Sequence, residues 1–230
     1  MTALTTCLRF APASEFRVMS SEFRVINFDS IGSTQDTAHE MIREGRVAGD
    51  TIIIAREQTA GRGRGGNSWV SRAGNLYSTF IFTSSVPSPK DAYLFAIAAC
   101  ETLMECGAPA EIKWPNDILI RGAKAVGILI EYVDGFLVAG IGINISHNPD
   151  NAQYPTDKIQ NWNSDATADS VLATLAGKIL FWRRQRFDTV RRRWMELAIR
   201  DRGYVTIKDD GALVVQDGEI YRQVYSVRQS

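Results

Sequence analysis

The alternation of apolar and polar positions divides much of the chain into short strands separated by turns. Runs that are apolar, β-branched or alternating, and that are bounded by Gly, Pro, Asn or Asp, are typical of strands. They cover residues 25–28, 51–55, 76–83, 112–114, 118–120, 126–133 and 136–145. The last two runs are joined by Asp134-Gly135, a dipeptide that favours a tight turn and therefore predicts a β-hairpin.

Three segments instead carry helix signals. Ser33 is a predicted N-cap for a helix over 34–44. Ser88 is the predicted cap of a second helix that runs to about residue 106, with a proline in its first turn and a glycine after its end. From 167 to about 199, apolar residues recur at helical spacing, which predicts helix throughout.

The C-terminal segment from residue 204 again has the sequence pattern of strands. From Tyr204, short alternating runs are separated by Asp-Gly pairs at 210–211 and 217–218, which predicts a small β appendage. Hairpins mixed with a few helices indicate an α+β fold.

The start of the chain contains a short repeated sequence and no recognisable domain. The sequence of residues 15–18 recurs at 22–25, and a single recurrence is too little for a repeat protein. We therefore divide the chain into an N-terminal extension that we expect to be poorly ordered (1–23), a catalytic or binding domain (24–199) and a small β domain (200–230).

Composition and charge narrow the class of protein. The 230 residues are 45% hydrophobic and 23% charged, as in globular proteins. Lys plus Arg and Asp plus Glu both number 26, and a net charge of zero argues against a general nucleic-acid binder. Three cysteines give no disulfide framework, and no apolar run reaches the roughly 18 residues of a membrane span. We expect a cytoplasmic enzyme or binding protein with no DNA or membrane partner.

A glycine- and arginine-rich segment at 61–66 is the first candidate for chemistry, and we call it the Gly/Arg loop. Glycines let backbone N–H groups approach an anion, and the guanidinium groups of Arg62 and Arg64 can neutralise its charge. The segment lacks the Gly-Lys-Ser/Thr ending of a P-loop. The alternatives are a flexible surface loop and an RGG-type RNA contact, the second weakened by the neutral net charge.

A second candidate follows a predicted strand. Lys113, Asn116 and Asp117 surround Pro115, which brings a cation, an amide and a carboxylate together. Such a group suits phosphate, ribose and Mg²⁺. A purely structural turn is the alternative.

A third candidate lies on the predicted hairpin. Lys124 enters one apolar strand, which also contains Gly127, and the facing strand contains Gly140 and Gly142 with Asn144 at its end. Glycines inside strands suggest the close approach of a flat ligand. Core packing and a lysine that snorkels to the surface are the alternatives.

These segments occur in one order along the chain. The order is Ser33-Thr34-Gln35, then Gln58 with Gly61-Arg62-Gly63-Arg64 and Trp69, then Lys113-Trp114-Pro115-Asn116-Asp117, then Lys124 with Gly127-Ile128-Leu129-Ile130-Glu131, then Gly140-Ile141-Gly142-Ile143-Asn144. Together, over about residues 25–145, they resemble the biotin–protein ligase family, the biotin–[acetyl-CoA-carboxylase] ligases. The resemblance implies a mixed β-sheet catalytic domain with helices packed on it, followed by a small SH3-like domain.

The resemblance also implies a reaction and roles for its residues. Biotin and ATP would form biotinyl-5′-AMP with the help of Mg²⁺, and biotin would then pass to a lysine of a biotin carboxyl carrier domain. The expected catalytic cations are Arg62, Arg64 and Lys124. The expected biotin-binding residues are Ser33, Thr34, Gln35, Gln58, Gly61, Arg62, Trp69 and Gly127. The expected ATP-binding residues are Arg64, Lys113, Asn116, Asp117, Lys124 and Asn144, with Asp117 also the expected Mg²⁺ ligand.

The sequence departs from the family's pattern in three places. Gln35 stands where the family usually has Asn, the Gly/Arg loop continues into Gly65-Gly66-Asn67 with fewer arginines, and the C-terminal β domain is shortened. No DNA-binding segment is recognisable before the catalytic domain, which favours the monofunctional class. The alternatives are a lipoate or octanoate ligase, whose Arg-Arg, Gly-Gly-Gly and His-Asp pattern is absent, and a biotin-binding sensor with weak catalysis.

Three further expectations concern partners and metals. Residues 140–145 are expected to form an edge strand that could pair two subunits in a homodimer. The arginines between 183 and 193 are interpreted as a solvated helix face, with contact to an acidic carrier domain as the alternative. His39 and His147 lack metal-ligand spacing with the cysteines, so we expect no structural metal.

Overall fold

The central element of the protein is a mixed seven-stranded sheet. The computed structural model describes residues 22–84, 86–150 and 152–225, so nearly all of the predicted extension lies outside the described residues. The strands are β1 (Arg24–Ile31), β2 (Thr51–Gln58), β3 (Leu76–Thr83), β4 (Ala110–Lys113), β5 (Asp117–Ile120), β6 (Ala123–Val133) and β7 (Phe136–Ile143). Their order in the sheet is β1-β2-β3-β7-β6-β5-β4. The β1–β2 pair is parallel and the other neighbours are antiparallel, which confirms the α+β prediction.

Helices cover both faces of this sheet. They are α1 (Thr34–Arg43), α2 (Asp91–Glu105), α3 (Ala168–Arg183) and α4 (Phe187–Leu197). The apolar face of α1 packs on the side of the sheet that presents Ile53, Ile81 and Val138. The other side presents Ile52, Phe80 and their neighbours to α2, α3 and α4 in the larger core cluster. Alternate strand residues therefore serve opposite layers, as the two-residue period of a strand requires.

Helix α2 begins later than predicted. Its first residue is Asp91 and its N-cap is Lys90, which makes no side-chain capping hydrogen bond. The prediction that Ser88 caps this helix is therefore wrong. The Ser88 hydroxyl instead accepts a hydrogen bond from the Lys90 N–H at 3.2 Å, so it closes a turn just before the helix.

The predicted helix over 167–199 is two helices. It breaks at Arg184–Arg186, where Arg186 is extended (φ −66°, ψ 145°). The apolar positions explain the break, because Trp182 and Phe187 are five residues apart and a continuous helix would place them on different faces. Breaking there lets the ring of Phe187 pack edge-on against Tyr93 of α2 at 6.2 Å between centroids.

The C-terminal strands form a separate antiparallel sheet attached to the main domain. They are β8 (Tyr204–Ile207), β9 (Leu213–Asp217) and β10 (Ile220–Val224), in the order β10-β9-β8. The Tyr93 hydroxyl donates to the Gly211 carbonyl at 2.8 Å, and the Trp114 N–H donates to the Tyr204 hydroxyl at 3.1 Å. The predicted β appendage is confirmed, and the domain boundary at 199/200 stays a prediction.

The expectation of an edge strand at 140–145 is wrong for the strand itself. Strand β7 lies between β3 and β6 and is hydrogen-bonded on both sides, so it has no free edge for a second subunit. Antiparallel hairpin strands can lie anywhere in a sheet, and the sequence pattern does not say where. Within the described part of the chain, no helix has the length and apolar character needed to cross a membrane.

Candidate functional site

A single cleft gathers most of the predicted site residues. It encloses about 470 Å³ including open solvent at its mouth, and it lies over the middle of the sheet beneath the Gly/Arg loop. The predicted residues that line it are Ser33, Thr34, Gln35, Gln58, Arg62, Arg64, Trp69, Asn116, Lys124 and Gly127. The lining residues without a predicted role are Gly63, Tyr77, Ser78, Ile128, Leu129, Gly140, Ile141 and Gly142. The predicted residues outside this lining are Gly61, Lys113, Asp117 and Asn144.

The N-terminus of α1 supplies one wall of the cleft. Ser33 has extended backbone angles and its Oγ accepts the N–H groups of Gln35 and Asp36 at 3.2 and 3.4 Å, as an N-cap does. The local sequence therefore buries a hydroxyl beside the first turn of a helix. Since the Ser33 oxygen accepts these bonds, its own proton is left to donate elsewhere.

A network of uncharged polar groups continues from this wall. Gln58 Oε1 accepts from the Thr34 N–H at 2.8 Å and from the Thr34 hydroxyl at 3.1 Å. Gln58 Nε2 donates to Ser71 Oγ at 2.7 Å, and the Ser71 hydroxyl donates to the Trp69 carbonyl. The Thr79 hydroxyl donates to Thr34 Oγ1 at 2.9 Å. Such a network fixes the orientation of each amide and hydroxyl.

The strand glycines make room for an indole ring of the protein itself. Gly127 and Gly142 are directly paired across β6 and β7. A Cβ added to Gly127 would lie 2.6 Å from the Trp69 ring, and one added to Gly142 would lie 2.5 Å from Trp69 Nε1. The flat group that these glycines admit in this structure is therefore Trp69. Gly140 serves a different neighbour, because a Cβ there would lie 2.6 Å from Gln35 Oε1.

Lys124 is the most enclosed cation of the cleft wall. Its side chain is 16% exposed, and its Nζ lies 2.7 Å from Asp117 Oδ1. The rings of Trp69 and Tyr154 flank the ammonium at 5.4 and 5.2 Å from their centroids. Lys113 Nζ lies 4.0 Å from the other oxygen of Asp117. Asp117 thus lies between two lysines just outside the cleft lining, and its single charge pairs mainly with the closer one, Lys124.

The side-chain amides of Asn116 and Asn144, two predicted ATP-binding residues, donate hydrogen bonds to backbone carbonyls. Asn116 Nδ2 donates to the Ile128 carbonyl at 3.1 Å and so fastens its turn to β6. Asn144 is 2% exposed, and its Nδ2 faces the carbonyls of Lys124 and Asp157 at 3.4 and 3.2 Å. Asn144 therefore braces the backbone of Lys124, and its predicted contact with the nucleotide stays a prediction.

Arg62 lies in an ion-pair cluster. One of its guanidinium nitrogens donates to Asp36 Oδ1 at 2.7 Å and the other to Glu131 Oε1 at 2.7 Å. Burial by itself would lower the pKa of Arg62, but the carboxylates of Glu131 and Asp36 outweigh burial and raise it. The charge of Arg62 is therefore matched by protein carboxylates, and its role as a catalytic and biotin-binding residue stays a prediction.

The residues that sequence reasoning missed lie in this cluster and in the hydroxyl network. They are Asp36, His39, Ser71, Thr79 and Glu131. A signal for the cluster exists, because Gln35, Asp36 and His39 lie within one turn of α1 and present polar groups on one side of it. No comparable local signal marks Ser71 or Thr79. Among the residues that the structure describes, no group of three or more His, Cys, Asp or Glu could hold a metal ion.

Comparison with known proteins finds relatives for most of this region. A model of the biotin/lipoate A/B protein ligase family matches residues 27–148. The chain is 39% identical over 135 residues to the bifunctional ligase/repressor BirA of Bacillus subtilis, which covers 54% of this chain and 41% of that protein. It is 31% identical over 175 residues to the biotin–[acetyl-CoA-carboxylase] ligase of Paracoccus denitrificans, which covers 67% of this chain and 73% of that one. The chain spans less than half the length of the two Bacillus relatives that it matches.

The fold has solved counterparts. The structure of a biotin protein ligase from Aquifex aeolicus in complex with biotin and ATP superposes with a TM-score of 0.74 at 22% identity, covering 90% of this chain and 99% of that one. At that identity the similarity establishes the fold. The matched segment of 27–148 is more than half of the chain and contains the α1 N-terminus, the Gly/Arg loop and the Lys124 strand. The chain therefore belongs to the biotin/lipoate A/B protein ligase family.

Proposed function

We propose that this protein is an ATP-dependent biotin–protein ligase. The observation that carries the proposal is the composition of one cleft, which contains an uncharged network of hydroxyls and amides together with the enclosed cation of Lys124. The first suits a flat, neutral ring that both donates and accepts hydrogen bonds. The Lys124 cation suits a carboxylate that reacts with a phosphate, because it can neutralise both anions. Relatives that are named biotin–[acetyl-CoA-carboxylase] ligases support the assignment.

The first step joins two anions. A carboxylate oxygen of biotin attacks the α-phosphorus of ATP, the new P–O bond forms, and the bond to the bridging oxygen breaks so that pyrophosphate leaves. Repulsion between the carboxylate and the triphosphate is the main obstacle, so charge neutralisation and positioning supply the catalysis. We assign the neutralising role at the reacting atoms to Lys124, with Arg64 and Lys113 on the phosphates.

The ring of biotin is assigned to the hydroxyl and amide network. Ser33 retains a proton to donate. We assign further contacts with the ring to the loop at Gly61 and Arg62 and to the strand at Gly127. Trp69 contributes an apolar wall for the aliphatic tail. Gln35 has its amide engaged by other protein groups, so we assign it to support of the ring site.

Mg²⁺ accompanies the nucleotide in this proposal. Mg²⁺ usually keeps several waters and takes one or two carboxylates in addition to the substrate phosphates. Asp117 offers one carboxylate beside Lys124, which fits a metal that is held mainly by phosphate. Bound there, Mg²⁺ would supply counter-charge to the triphosphate.

The second step transfers the acyl group. The ε-amine of an acceptor lysine attacks the carbonyl carbon of biotinyl-5′-AMP, the C–N bond forms, the C–O bond to phosphate breaks, and AMP leaves as the amine loses a proton. We propose a biotin carboxyl carrier domain as the acceptor and the cytoplasm as the site of reaction. The unpaired Cys100 and Cys106 are compatible with a reducing compartment.

Mass spectrometry of an acid-quenched reaction tests the proposal. The protein is mixed with Mg-ATP and either biotin or lipoate, because the family includes ligases for both acids. Biotinyl-AMP at close to one per chain supports the proposal, and its loss in Lys124→Gln but not in the exposed Lys208→Gln assigns it to the cleft. Lipoyl-AMP in place of biotinyl-AMP contradicts it. No adenylate with either acid favours a sensor without turnover.

A further inference from the structure

Glu131 joins the Gly/Arg loop to the wall of the cleft. Its Oε1 accepts from Arg62 at 2.7 Å, its Oε2 accepts from Gln35 Nε2 at 2.9 Å, and Oε2 lies 2.9 Å from His39 Nε2. These partners belong to the loop and to α1, whereas Glu131 belongs to β6. One carboxylate therefore connects three segments that are far apart in the sequence.

Asp36 completes this connection from α1. It accepts from the same Arg62 guanidinium at 2.7 Å, so Arg62 bridges α1 and β6. Bidentate and bridging contacts of arginine fix geometry because the guanidinium is planar and its donors are rigidly spaced. The side chains of Arg62, Asp36 and Glu131 are 36%, 51% and 26% exposed, so solvent screens the attraction and each contact is of modest strength.

Arg62 lies just before the two glycines that make the Gly/Arg loop intrinsically flexible. Gly65 and Gly66 follow it with φ of 70° and 83°, angles that glycine adopts at little cost, and glycine leaves the unfolded loop many alternative conformations. The loop's own backbone bonds, such as Gly63 N–H to the Asn67 carbonyl at 2.7 Å, keep its shape but do not attach it to α1 or β6.

Glu131 also fixes the orientation of Gln35. The Gln35 Nε2 donates to Glu131 and to the Val138 carbonyl at 3.3 Å, and its Oε1 lies 3.2 Å from the Thr79 hydroxyl, whose one proton it shares with Thr34 Oγ1. Gln35 is 3% exposed, so a rotated amide would leave buried donors and acceptors without partners.

We propose that Glu131, assisted by Asp36, is a positioning residue that holds Arg62 and Gln35 and thereby keeps the Gly/Arg loop over the biotin side of the cleft. The inference rests on the proposed function for its ligand, but the attachment of the loop is a property of the protein alone. Glu131 touches neither substrate nor reacting atoms in this proposal, and Arg62 acts as a tether instead of a phosphate ligand.

The test uses Glu131→Gln and Asp36→Asn, with Glu40→Gln as the matched control. Glu40 is an exposed acid one turn further along α1, so its variant changes the net charge equally without touching Arg62. Limited trypsin digestion measures cleavage after Arg64, which needs an open loop. We expect both variants, but not the control, to be cleaved about three- to tenfold faster, as loss of one charge-assisted hydrogen bond implies. Asp36 is half exposed, so Asp36→Asn remains informative if Glu131→Gln fails to fold.

Steady-state kinetics distinguish a positioning role of Glu131 and Asp36 from a general loss of structure. We expect the KM for biotin to rise by a similar factor while the KM for ATP and kcat at saturation stay within twofold. In an Arg62→Gln background, neither Asp36→Asn nor Glu131→Gln should add much to the rate of cleavage after Arg64, because the guanidinium that ties the loop to both carboxylates is gone. Glu131→Gln should still affect the KM for biotin there, because Glu131 also holds Gln35. Unchanged trypsin cleavage in both variants, or equal effects on cleavage with and without Arg62, would overturn the inference. Absence of adenylate from the wild-type protein would count against the proposed function, and the digestion would still decide the attachment of the loop.

Discussion

Gly142 Cα faces the indole of Trp69 so closely that a methyl group on it would lie 2.5 Å from Trp69 Nε1. Gly142→Ala should therefore displace the indole from the paired glycines and destabilise the protein by about 1–3 kcal/mol, the usual cost of overpacking. Urea unfolding followed by tryptophan fluorescence measures both effects, and biotin affinity should fall with them.

Gly177→Ala is the control for this variant. Gly177 lies on α3 with no atom within 4 Å of an added Cβ, so alanine there should stabilise the protein by about 0.4–1 kcal/mol. If Gly142→Ala were as harmless as Gly177→Ala, the close contact between strand and indole would be wrong.

Asp117→Asn should weaken both stability and adenylate formation. It removes the carboxylate 2.7 Å from Lys124 Nζ, and the two side chains are 19% and 16% exposed, so the cation loses its counter-charge where water can only partly replace it. We expect a loss of about 1–3 kcal/mol in the free energy of unfolding, measured by urea titration. Asp29→Asn, at a position 84% exposed, should change neither quantity.

Asn75→Ala should be among the more damaging polar substitutions. Asn75 Oδ1 accepts three successive backbone N–H groups, those of Ile145, Ser146 and His147, at 2.8 to 3.1 Å, and its Nδ2 donates to the His147 carbonyl. Removing it leaves the buried Ile145 N–H without a partner and exposes the part-buried groups of Ser146 and His147 to only partial replacement by water, at a cost of about 1–3 kcal/mol. Thermal unfolding measures the loss.

The matched control for Asn75→Ala is Asn148→Ala. The exposed Asn148 makes one long hydrogen bond to Thr156, at 3.4 Å, so its loss should fall within about 0.5 kcal/mol of wild type. Equal losses for the two variants would show that the Asn75 amide does not anchor this turn.

Asp91 should give the wild-type protein a pH dependence that Asp91→Asn lacks. Burial raises the pKa of Asp91 above its ordinary 3.8, although a hydrogen bond from Tyr132 and the charge of Arg183 act in the opposite direction. The folded state then holds the proton more tightly than the unfolded state. The stability of wild type relative to Asp91→Asn should therefore rise as the pH falls through the folded pKa, and level off below 3.8. A pH dependence of stability for Asp91→Asn that runs parallel to that of wild type would contradict the prediction.

Local chemistry explains what the sequence could predict. Ser33 as an N-cap and Asp134-Gly135 as a hairpin turn depend on neighbours within a few residues, and both are confirmed. The break between α3 and α4 was missed, because each half of 167–199 has helical spacing and only the five-residue step from Trp182 to Phe187 departs from it. Contacts between residues far apart in the sequence could not be predicted. Arg62 and Glu131 are 69 residues apart in the sequence, and no local pattern around either residue predicts that the two form an ion pair.

The order of the strands in the sheet was a second feature that the sequence could not predict. Alternation predicted the β6–β7 hairpin but not its neighbours, so residues 140–145 were placed at an edge when β3 in fact pairs with them. Trp69 illustrates the same limit within the cleft. The glycines of β6 and β7 predicted a flat ligand, whereas the flat group that lies against Gly127 and Gly142 is the indole of Trp69.

The hydrogen bond from the Trp114 N–H to the Tyr204 hydroxyl has a practical consequence. Trp114 lies between Lys113 and Asn116, so the small C-terminal sheet is hydrogen-bonded to the same turn that carries these two residues, which we propose bind ATP. Loss of the Tyr204 hydroxyl, as in Tyr204→Phe, is therefore expected to loosen that turn although Tyr204 lies about 90 residues further along the chain.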